Sequence, residues 1–444
     1  MKFEIEKIKN FGVIKENKDK IVLNDLTIFM GENSAGKSYL AILFNLLTKI
    51  EEELNLSISL LENKKAYLKI SEILENFEKG EVEISLSKDE IFELKDILEI
   101  VIKLFLKKHF KKLINNKSFD LKINYYEFNE IKSILKKSQS DSLFEFVFIF
   151  EEEIEKGKKI GLERKFVVEK NKFNIKLIIE QFFETLFVFL VKSSLNIPTS
   201  VYLPAARTGY LHTYPILWEY AVKKTFSFNK ESKDIELPEW IRRFILELVA
   251  PAENISNDIA TEIEKEILKG EVKVYENESR IEYYIGKKKV DIPYTSSSVS
   301  ELIPLVVFLK KGKVHRGSLL IIEEPEAHLS FENQRKIARI IALLVNKGVK
   351  VLITTHSDFL IYELNNLIIA NKISDIKRPN EYKNLSLNYK KINIYNFLFK
   401  GRSKKSIIEQ VPVKEDGIDN KYITKNLSKR VEDLKILYDL MEEK

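Results

Sequence analysis

The chain has 444 residues, of which 44% are hydrophobic, enough for roughly two or three domain-sized units or for one core carrying large insertions. Charged residues make up 32%, above the ~25% of an average soluble domain, and 73 Lys+Arg against 67 Asp+Glu leave a net charge of +6. These values exclude a mainly disordered or collagen-like chain, and the absence of cysteine excludes disulfides, thiolate catalysis and Cys-ligated zinc.

A mild basic surplus permits nucleic-acid contact without demanding it. No run reaches the ~18 uninterrupted apolar residues of a membrane span. The N-terminus, MKFEIEKIKN, has no hydrophobic signal region. A soluble, cytoplasmic protein with no membrane partner is expected.

The first thirty residues read as strands, ending in the apolar run Leu26 to Met30. GENSAGKS follows, Gly31 to Ser38, and then an apolar helix from Tyr39 to about Lys49. From Glu51 to about Lys117 the spacing predicts charged helices. Asp120 to Tyr126, Leu143 to Phe150 and Lys165 to Lys176 read as antiparallel strands, and Leu177 to Lys192 as a helix. Thr199 to Pro204 is a buried strand leading into AARTG, Ala205 to Gly209. Tyr214 to Lys269 reads as helical with breaks at Pro238 and Pro251, and Glu271 to Tyr284 as a hairpin. Thr295 to Lys310 reads as a helix behind a serine cluster. Ser318 to Ile322 is a buried strand running into EEPEAHLS, followed by a helix from about Glu332 to Asn346. Val351 to Thr354 is a strand ending at His356, Lys391 to Phe399 is strand-like, and a basic helix begins near Lys421.

Gly31 to Ser38 matches G-x-x-x-x-G-K-[ST] in full. Glycines let backbone N–H groups converge on phosphates without a clashing Cβ, and the helix N-terminus adds partial positive charge. Gly31, Asn33, Ser34, Ala35, Gly36, Lys37, Ser38 and the following Tyr39 are therefore the candidate nucleotide-binding residues. Lys37 reaches the β and γ phosphates, and Ser38 ligates Mg²⁺. LLIIEEPEAHLS places two carboxylates at the carboxyl edge of a sheet, where ligands of open α/β sheets lie. Glu323 is placed for the Mg²⁺ shell and Glu324 to orient or deprotonate an attacking water. His356, after another buried strand, is placed to contact the γ-phosphate. Lys37, Glu324 and His356 form the candidate catalytic set, with ATP and Mg²⁺ as substrate and cofactor.

GENSAGKS, IIEEPEAHLS and ITTHS, in this order, resemble the ABC-type ATPase heads of the SMC, RecF and OLD (overcoming lysogenization defect) group. The Glu-Glu-Pro-Glu-x-His-Leu form is typical of OLD-like members, many of them in anti-phage defence systems. The resemblance implies an α/β fold: an ABC-type P-loop ATPase head, RecF/SMC-like, with a mixed α+β insertion. It divides the chain into a head at 1–50, an insertion at 51–196, a head strand and Arg207 loop at 197–213, and a helical insertion with hairpin at 214–283. The head then resumes at 284–400, and a basic helical tail fills 401–444.

By the same resemblance, SSSVSEL, Ser296 to Leu302, stands at the signature motif. Ser297 and Ser298 would bind a phosphate held by the opposite protomer, although the family's glycines are replaced by Ser298 and Val299. Ala327 to Ser330 would match the D-loop. The implied assembly is a homodimer or higher even-numbered oligomer. No metal-binding nuclease domain is legible after the head, so nuclease activity in this chain is not expected, and an insertion without a long heptad coiled coil favours a sensor controlling a separate effector. The alternative is a DNA-clamping repair ATPase. The basic stretch at Lys103, Lys107, Lys108, Lys111 and Lys112, interleaved with Phe105 and Phe110, reads as a contact for nucleic acid or an acidic partner, less favoured than a solvated helix face. Arg207, in a chain with no arginine before Arg164, is placed against the nucleotide, a subunit contact or a structural ion pair.

Overall fold

The computed structural model describes residues 4–50, 61–62, 64–76, 80–110, 119–124, 130–139, 143–154, 158–172, 174–195, 199–213, 216, 237–250, 255–275, 280–373, 377, 379, 382, 385–399 and 405–423. The strands, in chain order, are β1 (Glu4–Phe11), β2 (Ile14–Asn17), β3 (Ile21–Val22), β4 (Leu26–Gly31), β5 (Gly80–Ser87), β6 (Asp120–Asn124), β7 (Glu130–Gln139), β8 (Leu143–Ile154), β9 (Lys158–Glu169) and β10 (Ser200–Leu203). They continue with β11 (Glu271–Val274), β12 (Ile281–Ile285), β13 (Lys288–Val290), β14 (Leu319–Glu323), β15 (Lys350–Thr355), β16 (Ile392–Phe399), β17 (Ser406–Val411), β18 (Val413–Lys414) and β19 (Gly417–Ile418). The chain separates into two compact units, Met1–Gly12 with Leu46–Pro198, and Val13–Asn45 with Thr199–Lys444.

The second unit carries the phosphate loop. Its sheet runs β10-β14-β15-β4-β16-β17-β2, parallel from β10 through β16. β16 and β17 pair antiparallel, and β17 pairs parallel with β2. The central strands are continuous apolar runs: every residue of LLIIE in β14 is buried. Such runs are what a parallel sheet covered on both faces requires. Helices Phe331–Asn346 and Asp358–Ala370 make the crossovers, capped by the Ser330 and Ser357 hydroxyls, which accept from Asn333 N–H and Leu360 N–H. A smaller antiparallel sheet, β11-β12-β13, contains the expected hairpin.

The first unit pairs β1 with β6 and builds an antiparallel meander, β5-β7-β8-β9. Phe146, Phe148 and Phe150 alternate along β8, so all three face one side and are buried there. Phe182, on the helix Ile175–Leu195, meets Phe148 and Phe150 with ring centroids 5.7 and 5.2 Å apart.

Two segments read as helical contain strands instead. Residues 80–87 are strand β5, within a stretch read as helical. EVEISLS alternates with period two and buries Ile84 and Leu86, a pattern that its glutamates disguise. Part of the segment read as a helical tail is strand instead: β17 runs antiparallel to β16, and β18 pairs with β19. The described part of the helix near Lys421 is only Asn420–Ile423, and its continuation lies outside the described residues. So do residues 51–60, 217–236 and Pro251.

The basic stretch has a local explanation. The helix Lys88–His109 opens with a capping box, Ser87 with Glu90, and carries Asp89 and Glu90 in its first turn. Lys107, Lys108 and His109 sit in its last turn, where positive charge complements the helix dipole. Phe105 and Phe110 are buried, hence unavailable for base stacking, and Lys103 lies 3.2 Å from Asp120. Lys111 and Lys112 lie outside the described residues. No described helix is long and apolar enough to cross a membrane.

Candidate functional site

β4 delivers Gly31 to the sheet edge, and the helix Lys37–Thr48 begins six positions later in sequence, so the loop between them is short and tightly curled. Gly31 has φ +125° and Gly36 φ +99°. A Cβ on Gly31 would run into the Phe397 carbonyl, and one on Gly36 would lie 2.7 Å from Ile14 Cγ1. Both positions need glycine for conformation and for space. Lys37, 6% exposed, donates to the carbonyls of Gly31 and Glu32, both at 2.8 Å. An ammonium has three N–H donors, so one remains for an anion. Burial pulls the Lys37 pKa down, opposed by Glu324, Glu326, Glu323 and Glu32.

Register explains why three distant segments meet here. Glu323 pairs with Thr354, and Thr355 with Met30, so the carboxyl ends of β14, β15 and β4 stand side by side. Residues just past these ends converge on one rim. A cavity of about 360 Å³ there is lined by Asn33, Ser34, Gly36, Lys37, Ser38, Tyr39, Glu324 and His356. Gly31 and Asn33, with His356, also border an adjoining cavity of about 830 Å³. Ala35 is fully buried behind the loop.

Glu324 stands at φ +44°, a conformation few non-glycine residues adopt. Its N–H donates to the Thr354 carbonyl at 2.9 Å, and its Oε1 lies 3.6 Å from His356 Nδ1. The histidine holds the Glu324 carboxyl below its ordinary pKa, and Glu324 in turn raises that of His356. Glu323 is 5% exposed. Burial raises its pKa, while hydrogen bonding with the Ser38 hydroxyl, the Ala205 N–H and the Tyr202 phenol acts the other way. Its Oε1 is buried without a well-formed hydrogen bond.

That orphaned oxygen beside a hydroxyl is a donor set that suits Mg²⁺. The ion takes one or two protein oxygens and fills its octahedron with phosphate oxygens and water. Among the described residues no group of three or more His, Asp or Glu is arranged for a self-sufficient metal site.

Two residues behind the rim escaped the motif reading. Glu326, 4% exposed, accepts from Thr355 Oγ1 at 2.6 Å and from His356 N–H at 3.1 Å, tying the acidic turn to the histidine turn. Ser406, fully buried on β17, donates to the Ala35 carbonyl at 2.6 Å and fixes the back of the phosphate loop. Glu326 was visible in EEPEAH as a third acid. Ser406 carries no local signal.

Arg207 is 1% exposed and does not line the nucleotide cavity. Its Nη1 donates to the carbonyls of Pro204 at 3.2 Å and Glu323 at 2.7 Å, and its Nη2 to that of Glu324 at 3.2 Å. Its Nε donates to the Glu301 carbonyl at 2.8 Å and lies 2.9 Å from Glu301 Oε2. Burial lowers the guanidinium pKa, and Glu301 leads the carboxylates that oppose this.

The serine cluster lies apart from this cavity. Ser296 caps the helix Ser297–Lys310, accepting from Val299 N–H. Ser297 is exposed, whereas the Ser298 hydroxyl donates to the His328 carbonyl at 2.6 Å. Within this protomer, then, neither Ser297 nor Ser298 joins Lys37 and Glu324.

A strand–phosphate loop–helix at the edge of a parallel sheet, with acidic and histidine turns beside it, defines a P-loop ATPase. The chain belongs to the AAA ATPase domain family, whose model matches residues 1–361. No curated protein sequence matches it. Among solved structures it is similar to the SMC head bound to the C-winged helix domain of ScpA, with 14% identity over 93% of this chain and 98% of that one, TM-score 0.38. The SMC head from Thermotoga maritima has 11% identity over 93% and 98%, TM-score 0.30. The Pyrococcus furiosus SMC head with an extended coiled coil, bound to the C-terminal domain of ScpA, has 13% identity over 98% and 100%, TM-score 0.37. The fold is α/β, with a parallel-rich sheet that carries the phosphate loop, as membership of this ATPase family implies.

Proposed function

We propose that this protein hydrolyses ATP at the cavity shared by Lys37, Glu324 and His356. The supporting observation is that three segments far apart in sequence place a cation, a carboxylate and an imidazole on one small cavity over a phosphate loop. The loop N–H groups and Lys37 bind the phosphates, and burial strengthens that attraction by excluding water. Ser38 and Glu323 would hold Mg²⁺, which supplies charge neutralisation on the phosphate oxygens when bound. Glu324, kept ionised by His356, orients and deprotonates the attacking water. His356 is placed against the γ-phosphate.

The cycle is read as that of a sensor subunit in an OLD-like anti-phage system, acting through a separate effector protein. Two features support this over a DNA clamp. One is the Glu323-Glu324-Pro325-Glu326-Ala327-His328-Leu329 form of the acidic turn. The other is that the described insertion is a compact sheet-and-helix unit rather than a long coiled coil. The unit of action is read as a homodimer or a higher even-numbered assembly, in which Ser297 and Ser298 meet the partner's nucleotide.

The test is a phage-plating assay with the native operon, comparing wild type with Lys37→Ala and Glu324→Gln. Protection lost in both variants, alongside an effector co-purifying with wild type, supports the sensor reading. Protection unchanged by either substitution, or tight salt-sensitive DNA binding by the wild-type chain alone, would count against it.

A further inference from the structure

We propose that Arg207 is a positioning residue for hydrolysis: it fixes the backbone of the Glu323–Glu324 turn from behind and ties that turn to the helix Ser297–Lys310 through Glu301. This rests on the reading of Glu324 as the base.

The argument begins with where its donors go. A guanidinium presents five N–H groups in a rigid planar fork. Here that fork is spread over backbone carbonyls from three segments: Pro204 after β10, Glu323 at the end of β14 with Glu324 after it, and Glu301 on the helix. At 1% exposure the side chain has no route to nucleotide or to solvent. It meets one carboxylate at close range, Glu301 Oε2 at 2.9 Å, and that residue is equally buried. The second Glu301 oxygen accepts from Thr208 Oγ1 at 2.6 Å, so the next residue along the loop secures the same acid.

The carbonyls it holds are the telling ones. Glu324 occupies the left-handed region at φ +44°. A non-glycine residue there costs of order 1–3 kcal/mol and persists only where its surroundings over-determine it. The Glu324 N–H is fixed by Thr354 on one side, and its carbonyl by Arg207 on the other. The unusual backbone directs the side chain toward the cavity it shares with Lys37 and His356. Lysine's three donors radiate from a single nitrogen, one fewer than the four carbonyls held here, so an ammonium cannot reproduce the spread of the fork. The same clamp makes the base responsive to the helix: Glu301 sits one turn beyond Ser297 and Ser298, and the Ser298 hydroxyl is bonded to the His328 carbonyl at the far end of the acidic turn.

The experiment compares steady-state ATP hydrolysis and nucleotide affinity of wild type, Glu324→Gln, Arg207→Lys and Glu301→Gln, with thermal melts as the folding control. Loss of turnover in Glu324→Gln establishes the base. With that in hand, Arg207→Lys is expected to lower kcat by about ten- to a hundredfold, since a misplacement near 1 Å can cost 10²-fold, with KM and ATP affinity within about threefold of wild type. Glu301→Gln is expected to lower kcat several-fold in the same pattern. A folded Arg207→Lys protein with wild-type kcat overturns the proposal, as does a fall in ATP affinity parallel to the fall in kcat. Should Arg207→Lys not fold, Glu301→Gln decides, and an unchanged kcat there overturns it. Full activity in Glu324→Gln refutes the assignment of the base and removes the premise of this proposal.

Discussion

The Ser406 hydroxyl, on β17, donates to the carbonyl of Ala35 in the phosphate loop across 371 positions of sequence, at 2.6 Å. Both residues are fully buried. The bond makes a strand near the end of the described chain part of the nucleotide site. Ser406→Val strips the Ala35 carbonyl of this partner, and a buried acceptor left unsatisfied costs about 1–3 kcal/mol. Expected outcomes are a lower melting temperature and a several-fold weaker ATP affinity, read with a fluorescent nucleotide. Unchanged melting and affinity would show that the loop holds its curl without β17.

Glycine is required at the loop for two separate reasons, and Gly36→Ala tests both. Alanine at φ +99° is strained, and its methyl meets Ile14 at van der Waals overlap. Strain of this kind costs of order 1–3 kcal/mol before the clash is counted. ATP binding should fall by at least tenfold while the far-UV circular dichroism is preserved. Wild-type affinity in Gly36→Ala would contradict the geometry of the loop.

Glu324→Gln keeps the side chain's shape but removes the carboxylate's basicity and its charge beside His356 and Lys37. Turnover should drop by roughly 10²- to 10⁴-fold, the range for loss of general-base catalysis, with ATP still bound. Lys37→Ala should lose binding as well, because it deletes the cation facing the phosphates. Isothermal titration alongside a phosphate-release assay separates the two cases. A Glu324→Gln protein that turns over at the wild-type rate would falsify the assignment of the base.

The Glu324–His356 pair sets a pH dependence with a definite sign. His356 is the largest influence holding the Glu324 pKa below its ordinary value. The carboxylate is therefore ionised above that lowered value, and turnover is lost only as pH falls through it. In His356→Ala the support vanishes and the carboxyl titrates higher, so the acid limb of the kcat profile should move to higher pH. A limb that stays in place, or moves to lower pH, would break the proposed coupling.

ATP should bring protomers together. Ser297 is exposed and lies outside the Lys37–Glu324 cavity of its own chain, so a role in phosphate binding requires a second copy. Light scattering on the Glu324→Gln protein should register a shift to a dimer or larger even assembly with ATP but not without it. A strict monomer at micromolar concentration, with specific activity constant on dilution, would count against that assembly.

Sequence alone located the phosphate loop, the acidic turn and the histidine turn, and the elements nearest to them. Gly31 to Ser38, Glu323, Glu324 and His356 were legible because each belongs to a short local pattern, a glycine-bounded loop or a polar turn directly after an apolar strand. β14 and β15 were legible because burial on both faces demands continuous apolar runs. Tertiary structure decided what lies behind them. Ser406, Glu326 and Arg207 act through contacts made across large sequence separations, and no local pattern distinguishes a serine that holds a loop carbonyl from one in an ordinary strand. β5 went unread because exposed glutamates on one face mask an alternation that only its pairing with β7 makes stable. The lysines at the end of the helix Lys88–His109 read in sequence as a solvated face more readily than as a nucleic-acid contact, and their last-turn position and the burial of Phe105 and Phe110 give a local reason for them. A motif records the groups that face the substrate, whereas the groups that hold those in place are chosen by the packing of the whole sheet.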